Sequence, residues 1–248
     1  MNFKTDGLIL TQQTIKENDK MVTVLTKSEG IIRCFVRKAM LINGPLCGAT
    51  QPLSYSRLTI YSGRGRYIID EADPIALFFD LRLDLEKFAL SQYFCEIAML
   101  MIPEGSPADQ FLSLLLNSLY MLSRGTKPDL LIKAVFEMRF MSIAGFMPAI
   151  MCCDKCGSYE ADTMYFLYND AKILCDSCCN GAEDGIALSR GALTAVRTAA
   201  LAEPKKIFSF GISERALAEF ADCAEKYLLT HIGQDIRTLE FYKKIRTI

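Results

Sequence analysis

The sequence predicts an α+β protein in which a small five-stranded barrel or sandwich precedes a helical domain. Three observations carry this prediction. Short runs of β-branched and aromatic residues fill the first 70 residues, apolar residues recur with a period near 3.6 after Asp73-Pro74, and six of the ten cysteines fall within residues 149–184. We therefore expect a strand-rich domain over residues 1–78 and an all-α domain over residues 79–248, with a cysteine-rich insertion at about 149–184.

The first domain is predicted to contain five short strands, each bounded by turn-forming residues. Breaks such as Asn43-Gly44-Pro45 and Ser62-Gly63-Arg64-Gly65 separate them. This number of strands in so short a segment is typical of a small barrel, the OB-fold among them, or of a sandwich. The predicted strands are Thr5–Gln13, Met21–Lys27, Ile31–Lys38, Leu53–Tyr61 and Arg66–Glu71.

The second domain is predicted to contain five amphipathic helices. The first of them ends before Pro103-Glu104-Gly105, and Ser213 is placed to cap the last one. The predicted helices are Leu81–Ile102, Ala108–Ser123, Asp129–Ile143, Ser189–Ala202 and Ser213–His231.

The composition is that of a globular protein, with 51% hydrophobic and 23% charged residues. No apolar run reaches the length of about 18 residues expected of a transmembrane helix, and the first residues lack the pattern of a signal peptide. We therefore expect a cytoplasmic protein with no membrane partner, in which thiols stay reduced. The ten cysteines then need an explanation other than a disulfide framework.

Positive charge is concentrated at the start of the chain. Residues 1–69 hold ten Lys or Arg against four Asp or Glu, whereas the remainder holds 18 against 25. This imbalance indicates a polyanion-binding face on the first domain, although an uneven scatter of solvated surface charges gives the same counts.

The strongest motif is a pair of C-x2-C sequences, Cys153 with Cys156 and Cys175 with Cys178, separated by 18 residues. Each pair places two thiolates on one tight turn, where both reach a single tetrahedral cation at about 2.3 Å. The spacing is typical of a zinc ribbon or knuckle, and four thiolates close the coordination sphere, so we expect one structural Zn2+.

Other readings of these cysteines stay open. A C-x-x-C pair is also a redox motif, but no βαβ pattern surrounds either pair. Cys152 and Cys179 adjoin the outer ligands and are candidates to replace them. The stretch between the pairs has the apolar content of a hairpin from Met164–Tyr168 to Lys172–Leu174. The other four cysteines are interpreted as small buried hydrophobic residues: Cys34, Cys47, Cys95 and Cys223.

A second motif lies on the predicted strand Ile31–Lys38. Alternation places three apolar side chains, from Ile32 to Val36, on one face and Arg33, Phe35 and Arg37 on the other. A cation, an aromatic ring and a cation on an exposed face suit single-stranded nucleic acid, although cross-strand packing explains the same pattern. With neighbouring cations, the candidate nucleic-acid-binding residues are Arg33, Phe35, Arg37, Lys38, Arg57, Arg64 and Arg66.

No enzyme signature accompanies these motifs. The sequence contains no G-x-S-x-G, Walker A or H-E-x-x-H motif, and its single histidine, His231, ends a predicted helix away from any nucleophile pattern. We therefore expect a binding protein rather than an enzyme.

Taken in order, these segments resemble the bacterial RecO family over nearly the full chain. The resemblance rests on Asn18–Gly30, on the helix beginning at Leu81, and above all on Phe136–Phe140 followed by Gly145-Phe146-Met147-Pro148 and the first cysteine pair. It implies an N-terminal OB-fold, a helical domain with an inserted zinc motif, and no catalysis.

The same resemblance implies a DNA repair and recombination mediator in the cytoplasm, associated with the nucleoid. Such a protein binds single- and double-stranded DNA, anneals strands and helps to load recombinase onto DNA coated by single-strand binding protein. Its implied partners are RecR and the C-terminal tail of the single-strand binding protein. The alternatives are a zinc-ribbon transcription or translation accessory factor and a thiol-disulfide oxidoreductase that uses the C-x-x-C pairs.

The sequence departs from the family pattern at two places. The strongly basic loop usual after the third strand here reads Arg37–Asn43, and the usual glycine pair before the second cysteine pair is replaced within Asn169–Lys172. Because fewer cations reduce the phosphate contribution to binding, we expect a modest affinity for DNA.

Overall fold

The computed structural model describes residues 2–15, 17–39, 44–63, 65–179 and 185–246. The chain forms two compact units, Met1–Arg124 with Ile236–Ile248 (unit 1) and Gly125–Asp235 (unit 2). The helical segment that ends at residue 124 therefore shares a unit with the strands, so the units divide the chain elsewhere than the predicted domains do. Within the described ranges, no helix has the length and apolar character needed to cross a bilayer.

Unit 1 contains a closed barrel of five strands, which confirms the predicted strand number and the barrel alternative. Around the barrel the order is β1-β2-β3-β5-β4; β3 and β5 run parallel, and the other neighbours pair antiparallel. Inward-facing side chains fill the core, among them Ile9, Val24, Cys34, Leu58 and Ile69. The strands are β1 (Asn2–Thr14), β2 (Lys20–Thr26), β3 (Gly30–Val36), β4 (Ser54–Gly63) and β5 (Arg66–Leu77).

A short helix, α1 (Pro45–Ala49), lies between β3 and β4 and was not predicted. Five residues are too few to show a helical period in the sequence. The hydroxyl of Ser54 donates to the Gly48 carbonyl at 2.9 Å and that of Ser56 to the Ala49 carbonyl at 2.7 Å. These contacts hold α1 against β4, where Ala49 joins the barrel core.

Three longer helices complete unit 1: α2 (Leu85–Met101), α3 (Asp109–Arg124) and α8 (Arg237–Arg246). The first predicted helix is divided, because a 3-10 turn at Phe79–Leu83 precedes α2. Asp84 separates the two segments and caps α2 by accepting the Lys87 N–H at 3.1 Å. The sequence analysis missed α8.

Unit 2 contains helices around a small antiparallel sheet of order β7-β6-β8. The predicted hairpin is present as β6 (Met164–Leu167) and β7 (Lys172–Cys175), but β8 (Gly185–Leu188) was not predicted, so the expected all-α character is incomplete. The helices are α4 (Asp129–Ile143), α5 (Asp176–Cys179), α6 (Arg190–Leu201) and α7 (Glu214–Ile232).

A buried cation joins α4 to α7 in unit 2. The Lys133 ammonium lies 2.6 Å from Glu137 Oε1 and 2.8 Å from Glu225 Oε2, and its side chain is 2% exposed. Burial alone would lower the pKa of Lys133, but the two carboxylates outweigh it and raise that pKa above its ordinary value. Lys133 is therefore a charged residue inside the helical core.

Three cysteines outside the C-x2-C pairs are fully buried, as expected of small apolar side chains: Cys34, Cys95 and Cys223. Burial raises the pKa of Cys34 and of Cys95 to about 12, so both thiols are neutral at physiological pH. Cys47, in α1, is only half-buried.

Candidate nucleic-acid interface and metal site

The two faces of β3 differ as predicted. Ile32, Cys34 and Val36 point into the barrel and are at most 3% exposed. Arg33 is exposed on the outer face, and Phe35 beside it is half-buried. Phe35 pairs with Met21 of β2 and with Ile68 of β5, so apolar neighbours support its ring on both sides.

A groove of about 520 Å3 runs over this outer face. Its floor is apolar and its rim carries three arginines. The lining residues are Ile15, Met21, Phe35, Tyr67 and Ile68 together with Arg33, Arg37, Gly65 and Arg66. Among the described residues that line it there is no carboxylate, so the groove presents three positive charges around an aromatic ring.

The four predicted cysteine ligands also come together. The sulfur atoms of Cys153, Cys156, Cys175 and Cys178 all lie within 4.8 Å of one another, and Cys156 Sγ lies 3.6 Å from Cys175 Sγ. Four sulfurs bound at about 2.3 Å to a tetrahedral ion stand about 3.8 Å apart. The cluster therefore has the dimensions of a closed four-thiolate metal site.

Backbone geometry builds this cluster. The first pair lies in the loop after α4, and Gly157 follows it with a positive φ of 74°, which favours glycine. The Gly157 N–H donates to the Cys153 carbonyl at 2.9 Å, closing the turn. Cys175 ends β7, and its N–H donates to Cys153 Sγ at 3.4 Å, while Cys178 lies in α5. The hairpin thus carries the second pair to the first.

The electrostatics of the cluster fit a cation. Burial acts to raise the pKa of the Cys153 thiol, but N–H groups that include those of Cys156 and Cys175 outweigh it and lower that pKa to about 6. At Cys178, the neighbouring thiols of Cys175 and Cys156 raise the pKa to about 12. The thiol of Cys178 therefore resists ionisation next to its neighbours, whereas a soft divalent metal stabilises four thiolates.

Two family models match the chain. One, described as recombination protein O N terminal, matches residues 1–78, and the other, recombination protein O C terminal, matches residues 82–240. The chain belongs to the RecO family. The resemblance identified from the motifs is therefore confirmed.

Full-length relatives agree with this assignment. The DNA repair protein RecO of Acetivibrio thermocellus is 32% identical over 249 residues, which cover 100% of this chain and 99% of that protein. The proteins of the same name from Caldicellulosiruptor saccharolyticus and Symbiobacterium thermophilum are each 26% identical, over 98% and 99% of this chain and over 99% and 98% of their own lengths. These three relatives thus align with this RecO-family chain over nearly all of its residues.

Not every predicted nucleic-acid residue of this RecO-family chain lines the groove. Arg57 lies on β4, where its Nε donates to Asp6 Oδ1 at 3.2 Å, and it faces a different depression together with Lys4 and Lys27. Lys38 is exposed beyond β3, and its N–H donates to Asp19 Oδ1 at 3.0 Å.

The other residues of this interface lie in the loop after β3, in the turn before β5 and on β5 itself. Arg64 and loop residues 40–43 lie outside the described residues. Tyr67 of β5, which also lines the groove, packs against the barrel core, and its ring centroid lies 6.1 Å from that of Phe3 in an edge-to-face contact. The groove floor itself was missed, because Met21 and Ile68 join Phe35 only through the strand register.

Arg197 of α6 holds the loop that carries the first cysteine pair, and the sequence analysis missed it. Its guanidinium donates to the carbonyls of Ile150, Met151 and Tyr159 at 2.8, 2.9 and 2.7 Å and stacks over the Tyr159 ring at 4.0 Å. A readable signal was an arginine among the buried alanines and Val196 on one face of α6. Cys152 and Cys179 lie beside the cluster, the former exposed and the latter buried.

Proposed function

We propose that this RecO-family chain is a DNA repair and recombination mediator that binds single-stranded DNA and anneals complementary strands. The observation that carries the proposal is the groove on the barrel, where Arg33, Arg37 and Arg66 surround the half-buried ring of Phe35. The five-stranded closed barrel has the strand number of an OB-fold, a fold that binds oligonucleotides in this manner.

The chemistry of the groove suits an unpaired strand. Arginine side chains at the rim neutralise phosphates, and a base stacks on Phe35, whose apolar neighbours Met21 and Ile68 replace water around it. Stacking of this kind is tolerant of sequence because every base has an aromatic face. The groove is therefore expected to bind single-stranded DNA of any sequence.

Annealing follows from the same charges. Two complementary strands repel each other through their phosphates, and a surface that neutralises part of that charge lowers the cost of bringing them together. No covalent bond is made or broken, so the proposed activity needs no catalytic residue. We propose accordingly that the chain is not an enzyme.

The cysteine cluster is proposed to hold one Zn2+. Cys153, Cys156, Cys175 and Cys178 complete a tetrahedral set, so no position remains for substrate or water. When bound, the metal links the turn after α4 to the hairpin and α5. Its proposed role is structural.

The partners are proposed from the family. RecR, the C-terminal tail of the single-strand binding protein and double-stranded DNA are the expected partners, and recombinase loading on DNA coated by that protein is the expected outcome. The proposed location is the cytoplasm, at the nucleoid. The names of the relatives, DNA repair proteins RecO, support this context.

A titration on a labelled single-stranded oligonucleotide tests the groove. The variant Arg33→Ala/Arg37→Ala removes two phosphate contacts. Each contact on single-stranded DNA contributes about −0.7 to the slope of log K against log salt, so the slope should become less steep by about 1.4. The matched control Lys206→Ala/Arg215→Ala changes the same charge at two exposed side chains of unit 2 and should leave the slope unchanged. Equal slopes for both variants and the wild type would place DNA elsewhere.

Strand annealing is measured with two complementary oligonucleotides, with and without single-strand binding protein. Wild-type chain should accelerate duplex formation, and the Arg33→Ala/Arg37→Ala variant should do so less. If the wild type does not accelerate duplex formation at any protein concentration, the annealing proposal is wrong, even if the chain binds DNA.

A further inference from the structure

Helix α8 carries a second cation–aromatic stripe in unit 1. Arg237, Phe241 and Lys244 are spaced i, i+4 and i+7, which places them on one face of the helix. Arg237 and Lys244 are exposed, and Phe241 is 50% exposed. The pattern repeats, on a helix, the order of cation, ring and cation found on β3.

The orientation of this face is fixed by contacts at both ends of α8. Leu239 and Tyr242 are buried on the side that packs against α2. At the start of the helix, Glu96 Oε2 accepts the Thr238 N–H at 3.1 Å and also its hydroxyl. The stripe therefore points away from α2.

The end of α8 is held in the same way. The Arg246 guanidinium lies 3.1 Å from Glu86 Oε1 and over the Tyr242 ring at 5.7 Å from its centroid. Because α8 is held to α2 at both ends, the exposed stripe is ordered before any ligand arrives, so little conformational entropy is lost on binding.

Charge identifies the kind of ligand. Residues 1–124 contain 13 Lys or Arg and 13 Asp or Glu, whereas residues 236–248 contain four and one. The α8 segment is thus basic, and Glu240 is its single acidic residue. An exposed ring between two cations, on a segment with a net positive charge, is complementary to unpaired bases joined by phosphates.

We infer that the exposed face of α8, formed by Arg237, Phe241 and Lys244, is a second single-strand contact surface in addition to the barrel groove. A base stacks on Phe241 while the flanking cations neutralise its phosphates. This inference rests on the proposed DNA-binding function and adds a surface to it.

Photochemical crosslinking tests the inference on the full chain. An oligonucleotide containing 5-iododeoxyuridine is irradiated with the protein, and the modified peptides are identified by mass spectrometry. A crosslink at Phe241 that is lost with unlabelled competitor is expected. The matched control is Tyr120 of α3, which is 55% exposed in the same unit and should remain unmodified.

Affinity measurements complete the test. Phe241→Ala should weaken binding of a long oligonucleotide about fivefold or more, Phe241→Tyr should retain affinity, and Tyr120→Ala should have no effect. Circular dichroism melts of each variant establish that the chain keeps its helix content and its thermal stability. A retained affinity in Phe241→Ala, or crosslinks confined to the barrel groove, would overturn the inference and leave the proposed function standing.

Two further outcomes are informative. Crosslinks and affinity that depend on neither Phe35 nor Phe241 would contradict the groove and the α8 surface together. If Phe241→Ala instead weakens only a labelled acidic peptide, the surface is a peptide site and its assignment to DNA is wrong.

Discussion

Replacing Arg197 should loosen the loop that carries the first cysteine pair from α6. The substitution Arg197→Ala removes three charged hydrogen bonds to the carbonyls of Ile150, Met151 and Tyr159 and one cation–π contact. Each such hydrogen bond contributes about 1.5–3 kcal/mol. Because Met151 and Tyr159 are half exposed, water forms hydrogen bonds with their carbonyls and replaces part of this loss. We therefore expect the free energy of unfolding to fall by about 3 kcal/mol.

The assay combines denaturant unfolding with metal retention. Wild-type chain, Arg197→Ala and Arg197→Lys are unfolded in urea, and zinc release is followed with a chromophoric chelator. Arg197→Lys should fall between the other two, because an ammonium cannot match the planar guanidinium at three carbonyls. Faster zinc release from Arg197→Ala is expected, since the loop that holds two ligands is less constrained.

A control variant on the same helix tests whether the loss of stability is specific to Arg197. Arg190 is 66% exposed and pairs with Asp162 at 3.5 Å, so Arg190→Ala should change stability by less than about 1 kcal/mol. If Arg197→Ala also stays within that limit and keeps its zinc, the three hydrogen bonds do not hold the loop, and the reasoning fails.

Two other predictions concern unit 2. Lys133→Ala should lower the free energy of unfolding in urea by about 3–5 kcal/mol, because the buried Glu137 loses its counter-ion. The double variant Lys133→Met/Glu137→Leu should recover much of this loss. Equal stability of Lys133→Ala and wild type would contradict the prediction. Burial alone would raise the pKa of Glu219. Hydrogen bonds from Ser189 and Arg215 outweigh that effect and hold the pKa below its ordinary value of 4.5. This stabilisation is present above pH 4.5 and is lost as the pH falls through the folded-state pKa, so Glu219→Gln should flatten the acid limb of a stability–pH curve, and an unchanged limb would refute it.

Local patterns in the sequence predicted those parts of the site that depend on spacing along one segment. The faces of β3 follow from alternation, and the cysteine cluster follows from two C-x2-C pairs joined by a hairpin. The groove floor could not be predicted, because Phe35 meets Ile68 through a parallel pairing of β3 and β5, distant in sequence. The position of Arg57 away from the groove could not be predicted for the same reason, since its partner Asp6 lies on β1.

The missed elements have physical explanations as well. Helix α1 and strand β8 have only five and four residues, so no period is visible in them. In α8, charged residues dominate, and the readable signal was the three-residue spacing of Ile236, Leu239 and Tyr242. The role of Arg197 depends on carbonyls about 40 residues away, which no local pattern contains.

The return of α8 to unit 1 has a consequence for biosynthesis. The ribosome completes Gly125–Asp235 before it makes Arg237–Arg246, so unit 2 has all of its residues while unit 1 still lacks one helix. Domains generally fold as units in the order of their synthesis. Here the α2 surface that later covers Leu239 and Tyr242 stays open until α8 leaves the ribosome.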